Sequence, residues 1–184
     1  MENTREAIFD ALKRKEVYAT SGTRLRVRVF AGWDFDEGDL HRDDFAKNGY
    51  ANGVPMGGDL SGAPEGGSPR LLIQAMRDAD GANLDRVQVV KGWLDDKGKG
   101  HERIWDVAVS DGRLIGSDGR CTKPVGNTVN VAEASYSNEI GDAALAGFWR
   151  DPGFDARQHA VYYVRVLEIP TPRWTTYDAK KPSA

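Results

Sequence analysis

Short segments of alternating apolar and polar residues, bounded by turn residues, recur along most of this chain and constrain its fold most strongly. The segments that read as strands are 24–33, 70–79, 86–95, 102–110, 127–137, 144–151 and 159–169. Turn dipeptides such as Asp111-Gly112 and Asp118-Gly119 separate several of them. Because no helical pattern lies between these segments, the sequence predicts a mainly β protein, an immunoglobulin-like antiparallel sandwich of about seven strands. A hairpin is expected where 86–95 and 102–110 meet.

The chain opens with a helical pattern instead of a strand. Apolar residues recur at helical spacing between Ala7 and Leu12, and basic residues follow at 13–15, where the helix dipole favours cations. Asn3 stands where a capping residue is needed, so we expect it to cap this helix. The sequence thus predicts one short N-terminal helix on an otherwise β chain.

The first predicted strand carries a row of arginines on one face. Arg24, Arg26 and Arg28 alternate with apolar residues, just after a turn at Ser21-Gly22. Guanidinium groups bind phosphate and carboxylate in a bidentate manner, but arginine stems also cover apolar surface at the solvent face of a sheet. We interpret Arg26 and Arg28 as facing solvent and keep Arg24, beside the turn, as the candidate for binding an anion.

Residues 34–69 lack periodicity and are rich in glycine and aspartate, which predicts a long loop, and loops of this length are commonly functional, partly structured or mobile. The loop begins with DFDEGD, which holds four carboxylates in six residues. Asp34, Asp36 and Asp39 are therefore weak candidates for ligating a hard cation such as calcium. The pattern departs from a calcium loop because Gly38 stands at the fifth position, where Asp or Asn is required, so a solvated acidic loop is the favoured interpretation.

The residues needed for a self-contained catalytic centre are sparse. His41, His101 and His159 lie far apart, and no metal-ligand spacing, nucleophile elbow or phosphate-binding loop occurs. The single cysteine, Cys121, excludes an internal disulfide and a four-cysteine zinc site. A net charge of −3 argues against nucleic acid as the main partner, and no apolar run reaches the ~20 residues of a membrane span. We therefore expect a chain without catalytic activity or a cofactor of its own.

Several stretches together resemble the C-terminal region of domain-of-unknown-function family 3604 (DUF3604). They are NTREAIFDALKRKEVYATSGTRLRVRVFAGWDF, GVPMGGDL, DRVQVVKGW and YYVRVLEIPTPRWTTYDA. The N-terminal part of that family resembles the PHP (polymerase and histidinol phosphatase) phosphoesterases, whose His, Asp and Glu residues on a distorted barrel bind divalent metals and activate water. The resemblance implies that 1–22 are the last helix and strand of a barrel-like domain and that 23–184 are an appended β-sandwich domain.

The resemblance also implies roles for individual residues. Ser21, Thr23 and Arg24 would lie near the mouth of the barrel, where Arg24 would meet an anionic group of the substrate. Asp59 would face the same cleft across the long loop. The histidine-rich motifs of the barrel are absent from this chain, so a divalent metal is implied only for the N-terminal domain of the parent protein. The family also implies a periplasmic or secreted location.

These features lead to one expected function and two alternatives. We expect a non-catalytic β-domain that covers or completes the substrate cleft of a PHP-like hydrolase, with the barrel domain of the same parent chain as its partner. The first alternative is a carbohydrate or small-ligand binding module, which two exposed tryptophans along a groove would favour. In the second, Ile8, Phe9, Leu12 and Val17 are exposed and join two copies of the fragment.

Overall fold

The chain folds into two antiparallel sheets with a helix near each end, in a computed structural model that describes residues 2–180. The strands are β1 (Arg26–Gly32), β2 (Val54–Pro55), β3 (Arg70–Met76), β4 (Leu84–Leu94), β5 (Gly100–Val109), β6 (Ala144–Arg150) and β7 (Ala160–Glu168). The helices are α1 (Arg5–Lys13), α2 (Phe45–Asn52) and α3 (Trp174–Lys180), and a 3-10 helix covers Glu37–His41. Across residues 2–180, no helix combines the length and the apolar character that a membrane span requires. The prediction of a mainly β protein with antiparallel sheets is confirmed.

One sheet has the strand order β2-β1-β3-β6 and the other has the order β5-β4-β7. The predicted hairpin of β4 and β5 is present, and its register runs from Arg86↔Val109 to Leu94↔Gly100. The chain leaves this hairpin for β6 in the other sheet and then returns with β7, which pairs with β4. As a result, β1 of the first sheet lies across from β7 of the second along one side of the domain. Along the other side, β6 of the first sheet lies across from β5 of the second.

The main core fills the space between the inner faces of the two sheets. Leu71 and Ile73 of β3 pack with Val87 and Val89 of β4, and none of the four is more than 3 % exposed. Side chains of a strand alternate between its faces, so the apolar set of each strand meets the other sheet. Each of these side chains contributes about 1.5–3 kcal/mol of stability relative to full exposure.

A second core lies on the outer face of the four-stranded sheet and comes from the segment that was predicted to be a loop. Phe35, Leu40 and Phe45 pack there against Phe30 of β1 and Leu72 of β3. The segment 34–69 is therefore partly structured, with the 3-10 helix and α2 inside it. The sequence did not reveal these helices because their few apolar residues are too widely spaced to form a helical pattern.

One of the predicted strands is wrong. Residues 127–137 form turns with a single isolated bridge, Asn130↔Ser135, instead of a strand. The side chain of Asn127 accepts a hydrogen bond from the amide of Val129, and that of Asn130 accepts one from the amide of Glu133. Such local side-chain hydrogen bonds give the backbone an alternative to a sheet ladder, which explains the error.

The two sides of the domain differ in how closely the strands of one sheet approach those of the other. Where β5 meets β6, a Cβ at Gly147 would lie 2.6 Å from Val107 Cγ1, so the approach requires glycine. Trp105 and Trp149 fill this side, with ring centroids 5.1 Å apart. We call the side with β5 and β6 the closed side and the side with β1 and β7 the open side.

Candidate functional site

The open side contains a cavity of about 740 Å³ between the sheets. Its wall is apolar and includes Val27 and Val29 of β1 and Val164 of β7. These inward side chains are only half-buried, whereas the inward side chains of β3 and β4 are fully buried. Small-molecule sites typically occupy about 300–1,000 Å³, so this cavity is large enough for a ligand or for side chains of a partner.

Two segments, 15–18 and 56–63, form the rim of this cavity. The first segment lies so close to Gly57 that a Cβ at Gly57 would clash with its backbone. Gly57 also has a φ of +80°, a conformation that favours glycine. Trp33 donates a hydrogen bond from Nε1 to the carbonyl of Ser61 at 2.9 Å, and this bond fixes the second segment over the cavity.

A buried ion pair lies behind the apolar wall. Lys91 Nζ is 2.6 Å from Asp151 Oδ2, and Tyr162, which lines the cavity, donates a hydrogen bond to the same oxygen at 2.6 Å. The Lys91 and Asp151 side chains are 4 % and 0 % exposed, and Lys91 also donates to the carbonyl of Gly153 at 2.9 Å. Burial, together with the hydrogen bond to Asp151, raises the pKa of Tyr162 far above its ordinary value. These internal contacts tie β4, β7 and the end of β6 together.

This ion pair was not predicted, although the sequence of β4 contains one signal of it. Lys91 is two residues from both Val89 and Trp93 along β4, so it shares their face of the strand and occupies an inward position. A charged side chain at such a position requires a buried partner. The partner was not apparent because Asp151 is 60 residues away and follows the end of a different strand.

Of the four residues predicted to lie near a substrate, Ser21, Arg24 and Asp59 are exposed and Thr23 is half-buried. Arg24 is 80 % exposed and pairs with Asp78 and Asp80, each at 3.5 Å. Asp59 lies on the cavity rim and pairs with Lys15 at 3.6 Å. Among the described residues, Arg24 and Asp59 thus have different ion-pair partners, and their sharing of one cleft stays a prediction.

Ser21 and Thr23 flank Gly22 in the turn that precedes β1. Ser21 is exposed, whereas Thr23 is half-buried and its side chain hydrogen-bonds to Glu168 at the end of β7. The turn therefore joins the start of β1 to the end of β7 across the open side. A role for Ser21 or Thr23 in contacting substrate stays a prediction.

The acidic residues considered for metal binding do not form a ligand cluster. Asp39 accepts a hydrogen bond from the amide of Asp36 at 3.0 Å and another from the side chain of Asn48 at 2.9 Å, and so stabilises the 3-10 helix against α2. Asp34 is exposed. In the part of the chain that the structure describes, no three His, Cys, Asp or Glu side chains are grouped so that they could hold a metal ion.

A second cavity, of about 870 Å³, lies on the arginine face of β1. Its lining includes Arg26, His41 and Gln74. Tyr50 of α2 donates a hydrogen bond to Glu16 at its edge, and burial followed by this hydrogen bond raises the pKa of Tyr50. Arg26 is exposed and Arg28 is half-buried, so this face is open to solvent at Arg26 and is partly covered by α2 beside Phe30.

Another group of buried charges lies on the outer face of the three-stranded sheet. Asp106 of β5 accepts hydrogen bonds from Gln88 at 2.6 Å and from the amide of Cys121 at 2.7 Å, and it pairs with Arg86 at 3.2 Å. Burial opposes the charged form, but these hydrogen bonds and guanidinium groups outweigh it and hold the pKa of Asp106 below 3.8. All these contacts are internal, which indicates a structural role.

The N-terminal helix α1 lies outside both cores. None of its residues is buried, and Ile8, Phe9 and Leu12 are 51 %, 63 % and 57 % exposed. Thr4, rather than the predicted Asn3, caps this helix, because its hydroxyl accepts a hydrogen bond from a backbone amide of the first turn at 3.2 Å. The apolar face of α1 is therefore free to contact another molecule, and dimerisation through it stays a prediction.

No curated protein and no solved structure matches this chain. One protein-family model does match, and it covers residues 1–184, the whole sequence. The match includes α1, the open side and the buried ion pair, and it confirms the resemblance that the four sequence stretches indicated. The chain therefore belongs to the family described as "Protein of unknown function (DUF3604)".

Proposed function

We propose that this chain is a non-catalytic β-domain that packs against a PHP-like, metal-dependent hydrolase domain of its parent protein and completes the substrate cleft of that domain. The observation that carries the proposal is the exposed apolar face of α1, which leads directly into the rim of the open-side cavity. The family resemblance supplies the identity of the partner. In this proposal, 1–22 belong with the hydrolase domain, and 23–184 form an immunoglobulin-like sandwich.

The length and exposure of α1 support a docking role. The helix has nine residues, and helices shorter than about 12–15 residues are marginal in water unless their apolar face is packed. Covering Ile8, Phe9 and Leu12 would contribute up to about 1.5–3 kcal/mol for each side chain. A partner domain seated on this face would therefore stabilise α1 and be held firmly by it.

The position of the cavity supports a contribution to a substrate cleft. Segment 15–18 connects α1 to the rim, so a domain bound to α1 would lie beside the cavity and the polar pair of Lys15 and Asp59. A divalent metal held by the hydrolase domain would supply the activated water. The residues of this chain would bind and orient the substrate and exclude bulk water from the cleft.

A binding assay with matched variants tests the proposal. The chain is titrated against the barrel-like domain of a DUF3604 protein, and the variant Ile8→Ser, Phe9→Ser, Leu12→Ser should bind at least about tenfold more weakly. The control is Glu6→Ser, Asp10→Ser, which changes the polar face of the helix with the same replacement residue and should bind like the natural sequence.

Two results would contradict the proposed function. The first is binding by the apolar-face variant that is as tight as binding by the control. The second is metal-dependent phosphoesterase turnover by the chain alone in the presence of manganese or zinc, because a domain without its own catalytic centre should show none.

A second function, the binding of a small apolar ligand in the open-side cavity, is favoured by the aromatic residues that line it. The rings of Trp33 and Phe154 lie there with centroids 5.6 Å apart. Trp105 and Trp149 are buried and face the closed side, so they do not extend this surface into the tryptophan groove expected for carbohydrates. The cavity therefore favours an apolar ligand over a sugar.

Fluorescence of the dye anilinonaphthalene sulfonate tests this second function. The dye should bind the natural chain, and Trp33→Ala should weaken its binding several-fold, whereas Trp174→Ala in α3 should not. Dye binding that survives Trp33→Ala but disappears with the serine variant of the α1 apolar face would contradict it, because the dye would then report α1 instead of the cavity.

A further inference from the structure

The free edge of β7 is unprotected. Within residues 2–180, β7 pairs with β4 alone, so its other edge presents a row of backbone amides and carbonyls. Natural edge strands are commonly blunted by proline or lysine, and the sequence AVYYVRVLE of β7 contains neither. At the other end of the same sheet, the edge of β5 is covered, because the amide of Asp106 donates to the carbonyl of Gly119 at 2.8 Å.

Apolar side chains are accessible on both faces beside this edge. Val161 and Tyr163 are 68 % and 51 % exposed on the outer face. On the inner face, Val164 lines the open-side cavity. A strand added to β7 would form a hydrogen-bonded ladder and would also cover apolar surface on each side of the sheet.

We propose that β7 pairs in antiparallel orientation with β7 of a second copy of this chain, which joins two three-stranded sheets into one continuous sheet. Full overlap of the nine residues places the two-fold axis at Val164, the midpoint of the strand. Tyr163 then lies opposite Arg165 of the partner subunit, and Val161 lies opposite the partner subunit's Leu167, with each pair on one face of the sheet.

The charges of β7 favour a second copy as the occupant of this edge. The strand carries only two charged residues, Arg165 and Glu168. In the fully overlapped register, Glu168 lies opposite the partner subunit's Ala160, so no like charges face each other. The guanidinium of Arg165 donates two hydrogen bonds to Gln88 Oε1 of β4, at 2.9 and 2.7 Å, which holds this charge on the same face as the tyrosine that the register places opposite it. The edge of β7 borders the open-side cavity but is separate from α1, and this inference does not depend on the proposed function.

Two substitutions at one position test the pairing. Tyr163→Lys places a lysine opposite Arg165 of the partner subunit, whereas Tyr163→Glu places a carboxylate there. Both remove the same exposed ring, so they differ only in the sign of the charge. Sedimentation of the isolated chain at micromolar concentrations should show a reversible dimer for the natural sequence and Tyr163→Glu, and at least about tenfold weaker association for Tyr163→Lys.

Several outcomes would overturn this inference. They are a natural chain that stays monomeric over the concentration range, and equal dissociation constants for the two Tyr163 variants. Loss of the dimer in the serine variant of the α1 apolar face, with no effect of Tyr163→Lys, would also overturn it and would assign the contact to α1. Because the chain is measured alone, the result is independent of its binding to a hydrolase domain.

Discussion

The closed and open sides of the domain are built from the same two sheets but are completed to different degrees. On the closed side, Gly147 lets β6 approach β5, and Trp105 and Trp149 fill the space between the sheets. On the open side, the inward valines of β1 and β7 surround a cavity and stay half-buried. The two sheets are therefore tightly packed on the closed side and leave apolar surface accessible on the open side.

The largest expected effect is a loss of stability when a tryptophan of the closed side is removed, compared with a tryptophan of the open side. Trp149→Ala removes a buried ring of the closed side and should lower the free energy of unfolding by about 3–5 kcal/mol. Trp33→Ala removes a half-buried ring of the open side and should lower it by about 1–2 kcal/mol. Urea denaturation measures both. Equal losses would contradict the comparison, because they would mean that both sides are packed to the same degree.

The next largest effect is the loss of stability when a buried ion pair is broken, compared with an exposed ion pair. Lys91→Met leaves the carboxylate of Asp151 buried without its cation and should lower the free energy of unfolding by about 3 kcal/mol. Lys15→Met breaks the exposed pair with Asp59 on the open-side rim and should leave stability unchanged. Thermal denaturation of the two variants checks this contrast, and a stable Lys91→Met protein would show that the buried pair does not hold the sheets together.

A smaller effect concerns acid stability and β5, the strand that borders the closed side and carries Asp106 on its outer face. The pKa of Asp106 is lower in the folded chain than its ordinary value of 3.8, so its charged form stabilises the fold above that pH. This stabilisation is lost as the pH falls from 3.8 through the folded-state pKa. The melting temperature should therefore fall in this window, and Asp106→Asn should flatten the fall. An unchanged acid profile in Asp106→Asn would contradict the role assigned to this carboxylate.

The smallest expected effect is a gain in stability instead of a loss, and it concerns Glu168 at the end of β7 on the open side. Glu168 Oε1 is buried without a hydrogen-bond partner among the described residues, and burial raises the pKa of this carboxyl more than the hydrogen bond with Thr23 lowers it. A raised pKa means that the charged form destabilises the fold, so the contribution of Glu168 improves as the pH falls through the folded-state pKa. Glu168→Gln should raise the free energy of unfolding at neutral pH by about 0.5 kcal/mol. A loss of stability at neutral pH would show that the charge is favourable in place.

The strands were largely predictable because each carries its own signal. In β4 and β7 the inward residues recur with a period of two, so that Tyr162 packs on the core whereas Tyr163 is exposed on the opposite face. By contrast, α2 is held by contacts of Phe45 with Phe30, which lies far away in sequence. A local pattern cannot report such a contact, so α2 was missed.

The candidate site was less predictable than the strands. Residue type was enough to single out Arg24 and Asp59. Their ion-pair partners lie more than 40 residues away in the sequence, so no local pattern predicts them; they are Asp78, Asp80 and Lys15. The cavity itself arises from the separation of β1 and β7, which depends on how the two sheets pack. The exposure of the α1 apolar face was foreseen, because the resemblance implied that this helix packs on another domain.

Hydrogen–deuterium exchange tests the central claim most directly. The chain is compared alone and bound to the barrel-like domain of a DUF3604 protein. We predict slower exchange in 5–20 and 56–63, which form α1 and the rim of the open side, and unchanged exchange in β5 and β6 of the closed side. Protection confined to the closed side, or no protection in α1, would contradict the claim that the open side is completed by a partner domain.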